Sequence, residues 1–355
     1  MLADHIDHVI GVDTHKDSHS AAVVNPTGAV VANRTVPADA FGYKRIHRFG
    51  LEHAQGRRVW AIEGTGSFGS GLTTYLLEQG EWVTEIDRPA RPARRNGAKS
   101  DALDAPRAAR EALGREHLAQ PRRRGDREAV RVLLATRHGA VQARTRAICH
   151  LKALVVNAPE ALRHQLRKLD TDQLLARCAR LRTGPSQSVE HRATITGLRC
   201  TARRALSLEA EANDLESELE KLMVRLAPQL LAEPGVGVIS AAQILNAWSH
   251  AGRLRSEAAF AALGGAAPIE ASSGKVVRHR LNRGGDRQLN RALHTIVLSR
   301  QQHHPATRSY VARRTAEGKT PREIKRCLKR YLSRRLYRLL EAAPPLVPHD
   351  RIASA

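Results

Sequence analysis

Two short apolar runs that each stop on a carboxylate, VIGVD at residues 9–13 and VWAIE at 59–63, constrain this chain most. Their length and β-branched content make each a strand, and an acid that ends a strand lies at the sheet's edge. Between them, SAAVVNPTGAVVANRTV is two β-rich runs around an Asn-Pro-Thr-Gly turn, a hairpin signal. SFGSGLTTYLLEQG then reads as a helix closed by Gly80, and EWVTEID as a further strand. A hairpin followed by a β-α-β unit is an α/β layout with a mixed sheet.

After RPARPARRNGAKS, a Pro/Gly/Arg-rich break, SDALDAPRAAREAL has helical character. Ser100 can serve as its N-cap, or the helix can begin about a turn later at Pro106. Asp101 and Asp104 are spaced i, i+3, which puts both carboxylates on one helical face. If the two acid-terminated strands are parallel neighbours, Asp13 and Glu63 emerge at one sheet edge, where α/β folds build their sites. Carboxylates gathered in one place repel unless divalent cations lie between them. Mg²⁺ (or Mn²⁺) takes oxygen ligands and substrate phosphates, so a phosphodiester substrate follows. Each acid also has a structural reading, as an N-cap or a dipole-favoured first-turn residue. Asp17 and Asp87 are rivals that read as surface or turn acids.

Charge points the same way. Lys and Arg number 58 against 35 Asp and Glu, a formal net charge of +23 over 355 residues, with Arg well ahead of Lys. Such a surface attracts polyanions, and guanidinium favours bidentate phosphate contact, so nucleic acid is the expected partner. The bland alternative is a basic protein from an Arg-rich proteome. Cys149, Cys178, Cys200 and Cys327 form no CxxC pair, which gives neither a zinc site nor a disulfide framework. There is no secretory leader pattern and no run of about 18 apolar residues, so the expected setting is soluble, cytosolic and without membrane contact.

From about 120 to 230 the chain becomes helical. Leu208, Ala212, Leu215, Leu219, Leu222 and Leu226 make a coiled-coil seam with glutamates at 209, 211, 216, 218 and 220 beside it. With the Arg-faced helix of DREAVRVLLATRHGAVQARTRAICHLKALVV this gives an antiparallel hairpin, either a dimerising arm or an intramolecular bundle. Further on, EPGVGVISAAQILNAW resembles a helix-hairpin-helix turn, in which Gly235 and Gly237 let backbone approach a phosphate. Its alternative is a glycine-rich turn with no ligand. Basic residues then crowd a short span: Lys275, Arg278, Arg280, Arg283, Arg287 and Arg291. Ser272 and Ser273 precede Gly274 in the loop entering that span, and by spacing alone they are turn residues. His303 and His304 read as surface or phosphate contacts, and Tyr310 as a packing residue.

Taken together, IGVDTHKDSHSAAVVNPTG, AIEGTGSFGSGL and KSDALDA resemble, in order and spacing, the N-terminal domain of IS110-family transposases. The resemblance extends over nearly the whole chain. It implies a RuvC-like, RNase H-type α/β domain with a D-E-D-D metal site, formed here by Asp13, Glu63, Asp101 and Asp104. It implies a mostly helical C-terminal domain whose serine acts as nucleophile. Ser273 matches the serine-glycine pair, whereas ungapped counting from GGDRQLNRAL favours Ala271 or Ser272. It further implies donor and target DNA, a noncoding bridge RNA, homodimers or homotetramers, and a bacterial, nucleoid-associated setting. The expected division is a catalytic domain at 1–115, a helical coiled-coil region at 116–230, a transposase domain at 231–345 and a disordered tail at 346–355. Arg122, Arg123 and Arg124, with Gly235, Gly237 and the cations at 275–291, are the expected nucleic-acid contacts. Two rivals remain: a RuvC-like structure-specific endonuclease using metal-activated water, and a non-catalytic nucleic-acid-binding protein whose acids are caps.

Overall fold

A computed structural model describes residues 2–86, 104–115, 118–121, 124–270, 272, 279–281 and 284–342. Asp87, Ser100, Asp101, Arg122, Arg123, Ser273, Lys275, Arg278, Arg283 and the tail at 346–355 lie outside the described residues. So does the side chain of Arg280, whose backbone is described.

The N-terminal part is built on β1 (His8–Thr14), β2 (Ser18–Val24), β3 (Val30–Pro37), β4 (Arg58–Glu63) and β5 (Val83–Ile86). Their order is β3-β2-β1-β4-β5, with the hairpin strands antiparallel and β1, β4 and β5 parallel. The layout is the mixed sheet expected of a RuvC-like domain. Helix α1 (Ala40–His53) and helix α2 (Ser70–Glu78) bury Ile46, Phe49, Leu72 and Leu76 against Ile10, Val12, Trp60 and Ile62 on one face. Helix α3 (Asp104–Leu113) lays Ala109 and Ala112 on the other, over Val9, Val59 and Ala61. Alternation along a strand requires this division, since successive side chains point to opposite faces.

One feature differs from the sequence expectation. Helix α1 was not foreseen. It starts at the Asp39 N-cap, whose side chain accepts from Gly42 N, and its buried stripe of Gly42, Ile46, Phe49 and Gly50 is interrupted by basic residues. Helix α3 is described from Asp104, with Pro106 in the first described turn, and the Ser100 cap expected for it lies outside the described residues.

Helices α4 (Asp126–Val156) and α7 (Val189–Leu226) form the long hairpin, within one chain. The pairs Arg137–Glu216 at 2.7 Å, Arg144–Glu209 at 2.8 Å and Arg225–Asp126 at 2.9 Å set an antiparallel register. Leu219 is buried in the seam, while Leu208, Leu215 and Leu222 are half-buried. At its far end α5 (Glu160–Leu166) and α6 (Thr171–Ala179) close a small separate core around Leu151, Leu166, Leu175 and Leu198.

The C-terminal core joins the near end of the hairpin to α8 (Pro228–Leu231), α9 (Val238–Trp248), α10 (Glu257–Leu263), α11 (Arg287–His303), α12 (Pro305–Ala316) and α13 (Pro321–Glu341). Between α10 and α11 runs a short antiparallel ribbon, β6 (Pro268–Glu270) with β7 (His279–Leu281). The four cysteines are free thiols. Among the described residues no helix is long and apolar enough to cross a membrane.

Two buried groups on the α1 side make folding sensitive to acid. Burial lowers the pKa of His19, which is fully buried and stacked on Tyr43 with ring centroids 5.8 Å apart. Burial pushes the Glu81 carboxyl up, but bonds from Arg58, His47 and Trp60 outweigh it and hold the group below its ordinary value. The unfolded chain binds the His19 proton below about pH 6.5, which the folded chain resists, so stability falls as pH drops through that value. Glu81 adds a second loss as pH drops below 4.5 towards its folded pKa. Melting temperature against pH should therefore fall in two stages, and His19→Phe should shrink the upper one, to which His294, lowered by burial and by Lys329 and Lys325, also contributes. A flat profile between pH 7 and 5 in the parent would contradict this.

Candidate active site

The parallel register of β1 with β4 runs His8↔Arg58 to Val12↔Ile62, so Asp13 and Glu63 are the next residues of adjacent strands. Both follow the odd positions that face α3: Val9 and Gly11 in β1, Val59 and Ala61 in β4. The two carboxylates therefore share one face and one edge of the sheet, on strands about 4.8 Å apart. Asp13 is buried at 7% and its Oδ2 lies 3.0 Å from His15 Nε2. Glu63 is half-buried, and its carbonyl oxygen accepts from Thr14 Oγ1 at 2.8 Å.

Gly11 brings in the third acid. A Cβ at Gly11 would run into the Ala105 carbonyl oxygen and lie 2.6 Å from Ala109 N, so the first turns of α3 rest directly on β1. Asp104 opens that turn beside the acid-bearing edge. Its carboxylate takes a hydrogen bond from Arg107 Nη1 at 2.8 Å and is 44% exposed. Among the described residues no group of three or more His, Cys, Asp or Glu side chains converges to hold a metal ion. By chemistry the set fits a hard divalent ion: it is all carboxylate, and two members share one edge. Asp17 is exposed on the β1–β2 turn, consistent with a surface acid.

The same edge meets the rest of the chain. After Glu63 the loop turns at Gly64 (φ +71°) and passes between two cavities. One, of about 270 Å³, is lined by Gly64, Ser67, Glu85, Asn246 and Arg253 among others. The other, of about 490 Å³, includes Ser70, Arg124 and Glu128. His250 Nε2 lies 3.4 Å from Glu85 and Arg124 Nη2 donates to Ser70 Oγ at 2.9 Å, so both contacts tie the sheet edge to the helical part. Neither Glu85 nor His250 stands in a motif that sequence alone singles out, because the partners are far apart in the chain.

The ribbon carries the serines. Glu270↔His279 is the outermost pair of the β6–β7 register, so residues 271–278 connect the two strands. Ser272 is exposed in that connection. Its root is fixed by Gly285 (φ +101°), Asp286 N donating to Leu263 O at 2.8 Å, and the Asp286 side chain capping α11 through Gln288 N and Leu289 N. Arg287 and Arg291 are exposed one turn apart on α11.

The glycine turn before α9 is held by a buried acid. Arg300 Nη2 and Arg335 Nε donate to Glu233 at 3.0 and 2.8 Å, and Arg300 Nε donates to Pro234 O at 2.6 Å. Burial pushes the Glu233 carboxyl up, but the two guanidiniums outweigh it and hold it low. Gly235 (φ +75°) sits against Arg300, while Gly237 is the N-cap of α9 and faces open space. His303 ends α11, and His304 opens α12 with its ring 2.9 Å from Thr307 Oγ1; the two do not form a metal pair. Tyr310 packs edge-on against Tyr331.

A mixed α/β sheet with acids at its edge, followed by a mostly helical region, is consistent with the RuvC-like class. Comparison with known proteins makes this specific. A transposase family model, DEDD_Tnp_IS110, matches residues 10–158, and the model for transposases of the IS116/IS110/IS902 family matches residues 227–312. The chain is 27% identical to the insertion element IS900 uncharacterized 42 kDa protein of Mycobacterium paratuberculosis, over 87% of this chain and 89% of that protein. It is 36% identical to the insertion element IS110 uncharacterized 43.6 kDa protein of Streptomyces coelicolor, over 30% of this chain and 27% of that protein. The chain belongs to the IS110-family transposases.

Proposed function

We propose that this transposase cuts and rejoins DNA strands at a composite site, in which Asp13, Glu63, Asp101 and Asp104 hold Mg²⁺ (or Mn²⁺) and a serine of the ribbon is the nucleophile. The observation that carries the reading is the pairing of Asp13 and Glu63 on adjacent parallel strand ends, on the face where α3 begins. Bound divalent ions supply charge stabilisation at the phosphoryl oxygens and orient the phosphodiester. His15, 3.0 Å from Asp13, helps hold that carboxylate in place.

Ser273, or Ser272 beside it, attacks phosphorus through Oγ. The new serine–phosphate ester forms as the bond to the 3′ oxygen breaks, and that oxygen leaves as a 3′ hydroxyl after taking a proton. A DNA 3′ hydroxyl then attacks the phosphoserine, restoring the phosphodiester and releasing the serine. Exposure of Ser272 in the ribbon's connection agrees with access to a strand. The cations expected at 122–124 and 275–291 hold phosphate backbones, with the Gly235–Gly237 turn as a further contact. A noncoding bridge RNA pairs with donor and target DNA, and homodimers or homotetramers bring the acid and serine half-sites together.

The serine step is tested with a Ser272→Ala/Ser273→Ala double variant on suicide DNA. The parent should trap a covalent protein–DNA adduct and the variant should give none, with strand exchange reduced by about three orders of magnitude or more. Retained exchange would move the chemistry to metal-activated water, the endonuclease reading.

A further inference from the structure

On the side of α11 that meets α13, Asn290 and His294 stand one turn apart. Facing them on α13, Lys325 and Lys329 also stand one turn apart. Lys329 Nζ donates to Asn290 Oδ1 at 2.8 Å, and Asn290 Nδ2 donates to Gly264 O at 2.7 Å. All four residues are half-buried. Burial lowers the pKa of Lys329; burial first, then the charges of Lys329 and Lys325, lower that of His294.

Elsewhere in this helical core three glutamates gather arginines. Glu233 takes Arg300 and Arg335, Glu257 takes Arg330, Arg334 and Arg338, and Glu317 takes Arg313 and Arg314. The stripe of His294, Lys325 and Lys329 has no such partner: among the described residues no carboxylate lies within ion-pair distance of it. Like charges held together and half-buried where α11 meets α13 repel, and an anion from outside relieves them.

The geometry points to a phosphate-binding site between α11 and α13, in which Lys325, Lys329 and His294 grip one phosphodiester group of a nucleic-acid strand. Lysine binds phosphate as a point charge with three donors, so Lys329 can keep Asn290 and still take an anion. The negative charge of a bound phosphate favours proton uptake by His294 from solvent, and the ring then becomes the third donor. Through Asn290 the site is coupled to Gly264, where the chain enters the serine-bearing ribbon. A strand seated here would therefore be registered at the ribbon's root. That last role rests on the function proposed above; the phosphate site does not.

The full chain provides the test in two arms. In the first, the His294 ring is titrated by NMR with inorganic phosphate, against NaCl at equal ionic strength and with His294→Gln for assignment. Its pKa should rise by about one unit. In the second, binding of a labelled DNA duplex and of a labelled RNA hairpin is followed against salt. Lys325→Gln/Lys329→Gln should lower the slope of log K against log salt by about 1 to 2, and Lys329→Arg should restore most of it. The nucleic acid whose slope changes is the one that occupies the site. Lys325→Gln alone covers the case in which the double variant fails to fold, and should lower the slope by about 1. A His294 pKa unmoved by phosphate, with slopes unchanged in the variants, overturns the site. So does an equal loss in Lys319→Gln/Arg322→Gln, which removes the same charge from the neighbouring turn. If neither nucleic acid binds while phosphate still moves His294, the cluster binds free phosphate only, and both its assignment to a nucleic-acid strand and the proposed function fall.

Discussion

Gly11→Ala should destabilise the N-terminal fold by about 4 kcal/mol or more, lowering its melting temperature by on the order of 10 °C. The new methyl would collide with the Ala105 carbonyl oxygen and with Ala109 N, 2.6 Å away, and both are backbone atoms of α3. Neither can move without lifting the helix from β1, and with it the start that carries Asp104. Most small-to-large changes in a core are relieved by rotating a side chain, and here there is none to rotate. Gly139→Ala makes the matched control. Gly139 lies exposed in α4 with nothing near its missing Cβ, so alanine there should be neutral or stabilising by up to about 1 kcal/mol. Thermal melts followed by circular dichroism compare the two. A Gly11→Ala protein that melts with the parent would mean that α3 does not dock on β1 as described.

What the sequence made legible follows from which interactions are local. Asp13 and Glu63 could be placed because alternation is a property of each strand, and an acid closing an apolar run must lie at an edge. The seam of α7 could be read from its own period. Its hairpin with the Arg-faced helix could be suggested, but not the register, which depended on Arg137 finding Glu216 and Arg144 finding Glu209. The acids that fasten the fold were silent for the same reason. Glu81 is defined by Arg58, His47 and Trp60, and Glu233 by Arg300 and Arg335, all distant in sequence. The β6–β7 ribbon escaped because three residues per strand are too few for a period. Helix α1 escaped because its buried stripe is broken by basic residues, while its Asp39 cap was the available signal.

Asp13→Asn and Glu63→Gln should each abolish Mg²⁺-dependent strand cleavage, by about three orders of magnitude or more, while leaving nucleic-acid binding nearly unchanged. Each substitution keeps the side chain's shape but replaces one acceptor oxygen by an amide NH2 and removes the charge that a hard cation needs. Because neither substitution removes a cation, affinity for DNA and cleavage should separate. The most direct measurement of the metal site is Mn²⁺ binding to the full chain, read by electron paramagnetic resonance, in the parent and in Asp13→Asn. A site built from the strand-end acids predicts saturable binding in the parent and affinity at least about tenfold weaker in the variant. Equal Mn²⁺ affinity in the two proteins would contradict it.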